Sequence, residues 1–245
     1  MIAVEASFGA LACVVVRSKT VTPRLAAVFC HGFGASGEDL VGLAEPILQR
    51  CGERREDMAL IFPEAPLSLE ERGLPGGRAW WWIDLERLLN QPTAELLHKF
   101  RSERPAGMNP ASQQVVQLVA DVRQEWNLAA NQIVLGGFSQ GSMVATDAAL
   151  SLAEPPAGLI IYSGALVSEV SWSPNANKLA QAKILQSHGR RDPILHISQG
   201  EALRDLLGGA GCQVKYLEFN GFHEIHPAAI QATADLLLEC LPNEA

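Results

Sequence analysis

The sequence predicts an α/β fold, with a mostly parallel central sheet covered by helices on both faces, and three observations predict it. Short runs of β-branched and aliphatic residues alternate with helical patterns along the chain. Several of these runs, such as Leu159-Ile160-Ile161, are continuously apolar, as strands buried on both faces are. Of the 245 residues 48% are hydrophobic and 19% charged, and no stretch combines low hydrophobicity with high charge, so a packed core is expected. That length fits one core, and a single domain spanning 1–245 is the expectation.

In chain order the strands are expected at 10–16, 25–30, 59–62, 132–135, 158–162, 183–186 and 213–219. The first two, joined by a short polar loop, are candidates for antiparallel pairing at one edge. The clearest helix is 112–126, where Val115, Val119, Val122 and Trp126 follow the i, i+4, i+7, i+11 spacing of one helix face. Further helices are expected at 39–49, 141–152, 197–207 and 227–241, the last with Pro227 suited to a first helical turn. The segment 64–110 breaks the rhythm. It carries Pro, Gly and the triplet Trp80-Trp81-Trp82, with one short helical pattern at 93–101, and loops of that length are usually functional or disordered. Three consecutive Trp side chains cannot all enter one core face, so Trp80, Trp81 and Trp82 are candidate substrate-binding residues. With Leu96, Leu97 and Phe100 they suggest a lid or cleft wall.

The net charge of -8 and the absence of a long basic run argue against nucleic acid as a partner. Five widely spaced cysteines without a CxxC pair fit neither a disulfide framework nor a zinc site and suggest a reducing compartment. No signal peptide and no apolar run near the ~20 residues of a membrane span is read, so a cytoplasmic location is expected.

The chemistry-bearing motif is Gly137-Phe138-Ser139-Gln140-Gly141, a G-x-S-x-G pentapeptide between a buried strand and a helical run. That setting produces the nucleophile elbow of the α/β-hydrolase fold, which lifts the Ser hydroxyl above the sheet. A serine hydroxyl needs a neighbouring base, itself held by a carboxylate, to attack a carbonyl near neutral pH. Asp192 and His223 each follow a strand on a short loop, in the Ser, acid, His order of this fold. Among the other histidines, His188 reads as support for the Asp192 loop and His196 lies too close after Asp192. His226 immediately precedes Pro227 and the final helix. The spacing in His223-Glu224-Ile225-His226 does not match H-E-x-x-H, and no metal site is expected. The oxyanion donors are expected to be the backbone N–H of Gln140, next to the nucleophile, and that of Phe33 in His31-Gly32-Phe33-Gly34.

Four separated segments resemble the phospholipase/carboxylesterase family that includes the acyl-protein thioesterases. They are His31-Gly32-Phe33-Gly34 with Asp39, Leu135 through Gly141, His188-Gly189 with Asp192-Pro193, and Gly221 with His223-Glu224; Pro63-Glu64-Ala65-Pro66 and Trp82-Ile83-Asp84 are similar to family elements as well. The resemblance implies hydrolysis of carboxylic esters or thioesters, with Ser139, Asp192 and His223 in the triad positions and Phe33 and Gln140 at the oxyanion positions. Two departures stand out: Ser142 replaces a frequent second Gly, and the insertion after Asp84 is longer than usual. The expected reaction is hydrolysis of small to medium acyl esters through an acyl-Ser139 intermediate, without metal or organic cofactor. The substrate is a small-molecule ester or thioester, and a lipidated protein or lysophospholipid is the alternative. Acyl transfer to an alcohol or amine, and a non-catalytic binding protein on the same fold, remain open, and oligomeric state has no signal in the sequence.

Overall fold

The computed structural model describes residues 1–84 and 94–243. Its centre is an eight-stranded sheet in the order β1-β2-β4-β3-β7-β8-β9-β10. The strands are β1 (Ile2–Phe8), β2 (Leu11–Arg17), β3 (Leu25–Cys30), β4 (Met58–Pro63), β7 (Ile133–Phe138), β8 (Gly158–Tyr162), β9 (Lys183–Gly189) and β10 (Val214–Phe219), while β5 (Leu67–Ser68) and β6 (Arg78–Ala79) form a separate small ribbon. β1 with β2 and β2 with β4 pair antiparallel, and every pairing from β4 to β10 is parallel.

The strands at 10–16 and 25–30 are not neighbours. β4 lies between them, which corrects the expected edge hairpin. All six residues of β3 are buried, so it needs a partner on each side and occupies the middle of the sheet. β2 alternates at its start, and its outer partner β1 alternates partly buried and exposed residues as a one-sided edge strand does. That period-2 pattern at Ile2, Val4, Ala6 and Phe8 is legible in the sequence.

Beside one short helical turn at Glu169–Trp172, the helices are α1 (Ala44–Arg50), α2 (Ala94–Ser102), α3 (Met108–Trp126), α4 (Gln140–Ser151), α5 (Ile197–Gly209) and α6 (Pro227–Cys240). α3, α4 and α5 bury Val115, Val119, Val122, Ala145 and Leu203 in the core on one face of the sheet. On the other face Ile47 of α1 and Leu237 of α6 meet Phe29, Phe62 and Leu185. The stripe foreseen on α3 is buried at Val115, Val119 and Val122, and Trp126 closes it with an edge contact on Phe8, ring centroids 5.9 Å apart. Among the described residues no helix is long and apolar enough to cross a membrane.

The register places the site. Cys30 pairs with Gly137, Phe138 with Tyr162, Tyr162 with Ser187 and Phe219 with Gly189. The loops after β3, β7, β9 and β10 therefore leave the same edge, where open α/β sheets bind ligands.

Candidate active site

Ser139 stands between β7 and α4 with φ 54° and ψ -122°, in the left-handed half of backbone space. A non-glycine residue there costs on the order of 1–3 kcal/mol and persists only when its surroundings over-determine it. Here they do. The Ser139 N–H donates to the Tyr162 carbonyl at 2.9 Å, and its carbonyl accepts from the Ser142 N–H at 3.0 Å and the Ser142 hydroxyl at 2.7 Å. The flanking glycines let the chain turn against β3: a Cβ on Gly141 would overlap the Cys30 carbonyl, and one on Gly137 the backbone of Gly141. Ser142, the departure noted in the motif, fits because Gly164 faces it, where a Cβ would run into the Ser142 hydroxyl.

The acid and the base meet. His223 Nδ1 lies 2.7 Å from Asp192 Oδ2, and Asp192 Oδ1 accepts the Ile194 and Leu195 N–H groups at 2.8 and 2.9 Å. Burial on its own would raise the Asp192 carboxyl. The hydrogen bond and charge of His223, with the two backbone donors, outweigh it and hold the pKa below the ordinary carboxylate value. Asp192 thus accepts as a carboxylate, which places a proton on His223 Nδ1 and leaves Nε2 as the free acceptor of the neutral ring.

Ser139 and His223 line one cavity of about 410 Å³, together with Phe33, Gln140 and apolar side chains including Ile83, Phe100, Met143, Ile194 and Leu195. No hydrogen bond joins the Ser139 and His223 side chains among the described residues, and in unliganded sites such bonds are often long until substrate is bound. Gln140 is the first residue of α4, so its N–H has no acceptor inside the helix. Phe33 enters the cavity from the loop after β3, and no backbone carbonyl among the described residues takes its N–H.

That loop is tied to the elbow through Trp80. The Trp80 indole N–H donates to the His31 carbonyl at 2.9 Å. The Gln140 side chain takes the Trp80 N–H at 3.0 Å and donates to the Trp81 carbonyl at 2.8 Å. The clamp holds the triplet in place: Trp80 and Trp81 are 2% exposed and pack into the core, and neither lines the cavity at Ser139, while Trp81 and Trp82 line a neighbouring cavity. Trp82 is 44% exposed and lies 5.8 Å from the Phe33 ring, with the Arg72 guanidinium 4.0 Å from its ring centroid. The sequence reading missed this polar use of a Gln next to the nucleophile, for which no local pattern exists. It also missed Met143, which stands in the first turn of α4 just beyond the nucleophile and lines the same cavity.

Of the segment 64–110, residues 85–93 fall outside the described part, as do the side chains of Leu96 and Leu97. The described remainder is pinned to the body. Arg101 makes a two-point contact with Glu169 at 2.8 and 2.7 Å, and Arg104 another with buried Asp147 at 2.8 and 2.6 Å. Phe100, next to the first of these anchors, lines the cavity wall.

Two further imidazoles frame the site. His31 donates from Nδ1 to the Gly32 carbonyl at 2.8 Å and accepts the Ala65 N–H on Nε2 at 3.0 Å. His188 bonds the Leu195 carbonyl through Nε2 at 2.7 Å. Burial pushes both below the ordinary imidazole value, against the pull of those carbonyls and of nearby acidic charges. Their protons are thus taken up first by the unfolded chain as pH falls below about 6.5, so stability present above that pH is lost downward toward the depressed folded values. The urea midpoint is expected to be lower at pH 5.5 than at pH 7.5, and equal midpoints would contradict neutral burial of the two rings. Among the described residues no group of three or more His, Cys, Asp or Glu side chains is placed to hold a metal ion.

Known proteins share this architecture along nearly the whole chain. The structure superposes on the crystal structure of esterase PE8 with a TM-score of 0.75, at 23% identity, covering 93% of this chain and 97% of that one. It superposes on SOBER1 of Arabidopsis thaliana with a TM-score of 0.70, at 18% identity, covering 89% and 100%. In sequence it is 29% identical over 224 residues to acyl-protein thioesterase 1 of Neurospora crassa, covering 89% of this chain and 87% of the relative. It is 24% identical to acyl-protein thioesterase 1 homolog 1 of Dictyostelium discoideum, covering 93% and 96%. Since the sequence model of one family matches residues 11–241, from β2 to the end of α6, the chain belongs to the phospholipase/carboxylesterase family.

Proposed function

We propose that the chain hydrolyses carboxylic esters or thioesters of small to medium acyl groups, with Ser139 as nucleophile, His223 as base and Asp192 as the residue that orients it. The observation that carries this reading is the His223–Asp192 bond of 2.7 Å at the wall of the cavity that also receives the strained Ser139. Ser139 Oγ bonds to the acyl carbon while His223 Nε2 takes its proton. The N–H groups of Phe33 and Gln140 hold the oxyanion. The carbonyl re-forms, the bond to the alcohol or thiol breaks, and His223 protonates the leaving group. Water then gives its proton to His223 and attacks the acyl-Ser139 ester; the bond from Ser139 Oγ to the acyl carbon breaks, His223 returns the proton to Oγ, and the acid is released.

The test is direct. Mixing with p-nitrophenyl acetate should release nitrophenol, and acid quenching should trap a protein one acetyl group heavier, with the added mass on the peptide that contains Ser139. A folded protein that turns over no p-nitrophenyl ester from two to eight carbons would refute the reading.

The acyl group is proposed to lie along Ile83 and Phe100 of the 64–110 segment and Met143 of α4, which line the cavity at Ser139. Phe100 and Ile83 also line a neighbouring cavity of about 420 Å³ with Trp81 and Trp82, so Phe100 stands between the two spaces. Phe100→Ala should join them. Each additional buried methylene contributes about 0.8 kcal/mol, and the octanoate-to-acetate ratio of kcat/KM is expected to rise about ten-fold or more. An unchanged ratio would place the acyl chain elsewhere.

The curated relatives named acyl-protein thioesterase 1 favour a second reading, in which the acyl group arrives on a lipidated protein. An S-acylated peptide hydrolysed far better than a free short thioester would support it. A cytoplasmic location is supported by five cysteines that are all free and buried.

A further inference from the structure

His188 is the next-to-last residue of β9, whose buried run continues through Gly189, and it lies beneath the Asp192 loop with no exposed surface. Its Nε2 is 2.7 Å from the Leu195 carbonyl, a pairing that requires the proton on Nε2, since a carbonyl can only accept. The same Nε2 is 3.4 Å from Asp192 Oδ2, the oxygen that holds His223. The other carboxylate oxygen takes the Leu195 N–H at 2.9 Å. One imidazole therefore grips Leu195, the residue whose N–H holds Oδ1, and keeps its protonated Nε2 edge 3.4 Å from Oδ2. The tautomer is locked from the far side. Nδ1 is buried without a hydrogen-bond partner among the described residues and sits against Gly200 of α5, where a Cβ would come within 2.5 Å of it. A second proton on Nδ1 would be a buried donor with nothing to accept it.

We propose that His188 is a positioning residue for the hydrolytic reaction: it fixes the orientation and the effective charge of Asp192, and through Asp192 the basicity of His223. The proposal rests on the assignment of Ser139, His223 and Asp192 made above. The positive N–H edge of the ring, 3.4 Å from Oδ2, offsets part of the carboxylate charge that His223 feels, so its loss leaves Oδ2 more negative and the His223 imidazolium better stabilised. The titratable groups whose charge reaches His188 are Asp192, which favours its protonation, and His223 and His196, which oppose it.

Three variants of the full chain separate this role from simple packing. His188→Leu removes the donor, His188→Gln keeps an N–H of similar reach without a titrating ring, and Gly200→Ala leaves the imidazole but displaces it. On a p-nitrophenyl ester, His188→Leu and Gly200→Ala should lower kcat at least ten-fold with KM changed less than two-fold. Both should also move the acid limb of the kcat/KM profile to higher pH. His188→Gln should recover most of kcat and return the limb toward its original position. A limb that stays in place in His188→Leu, or a rate loss that only follows the folded fraction measured by near-UV circular dichroism, overturns the proposal. Wild-type protein that fails to label with a fluorophosphonate would instead remove the hydrolase assignment itself, an outcome separate from either of these.

Discussion

Replacing Ser139 with Ala is expected to lower kcat on p-nitrophenyl esters by about 10⁴ to 10⁶, with KM changed by no more than a few-fold. The hydroxyl is the only atom removed, and in the proposed reaction it makes the covalent bond. The cavity walls and the N–H groups of Phe33 and Gln140 stay in place, so binding and a residual rate survive. Stability should hold, because Ala brings the same Cβ to the φ 54° position, and the Tyr162 and Ser142 contacts that fix the turn run to the Ser139 backbone. Steady-state kinetics beside a thermal melt check both halves. A folded variant with near-native turnover would exclude Ser139 as nucleophile.

Asp192→Asn should lower kcat by about 10⁴, the loss found when other triads lose the acid's charge without its shape. The physical reason is the direction of one proton. Asp192 Oδ2 now accepts from His223 Nδ1 at 2.7 Å, and the Ile194 and Leu195 N–H groups occupy Oδ1. An Asn keeps its carbonyl oxygen on those two backbone donors, which turns its NH2 toward His223. The ring then accepts on Nδ1 and carries its proton on Nε2, where it cannot take one from Ser139. The variant should also lose the acid sensitivity that a depressed carboxyl brings: in the wild type, stability present above about pH 3.9 is lost as pH falls through the lower folded value of Asp192. A kcat reduced by less than ten-fold would mean that His223 does not need this carboxylate.

Much of this site is legible in the sequence because its residues sit where local rules are strong. Gly137 and Gly141 bracket Ser139 between a continuous apolar run and a helical one, and the structure shows what both glycines make room for. Asp192 and His223 were reachable because each follows a strand by a short loop, and parallel strands deliver their ends to one edge. Strand order was not legible. Nothing local states that β4 slides between β2 and β3, since that choice is made by which strand must be buried on both faces. The anchoring of the Trp triplet was not legible for a related reason. The Trp80 indole and backbone are tied to His31 and Gln140, residues 49 and 60 positions away. His188 lay between these cases: its support of the Asp192 loop follows from its strand-end position, but the direction of its N–H depends on Leu195 and Gly200 and needs coordinates.

The most direct measurement of the central claim, that His223 activates Ser139, is site-resolved labelling by a fluorophosphonate. The account predicts one adduct, on the peptide carrying residue 139, formed rapidly in the wild type and lost when a folded His223→Ala variant is treated in the same way. An adduct on any other residue, or labelling at 139 that proceeds equally fast without the imidazole, would contradict it.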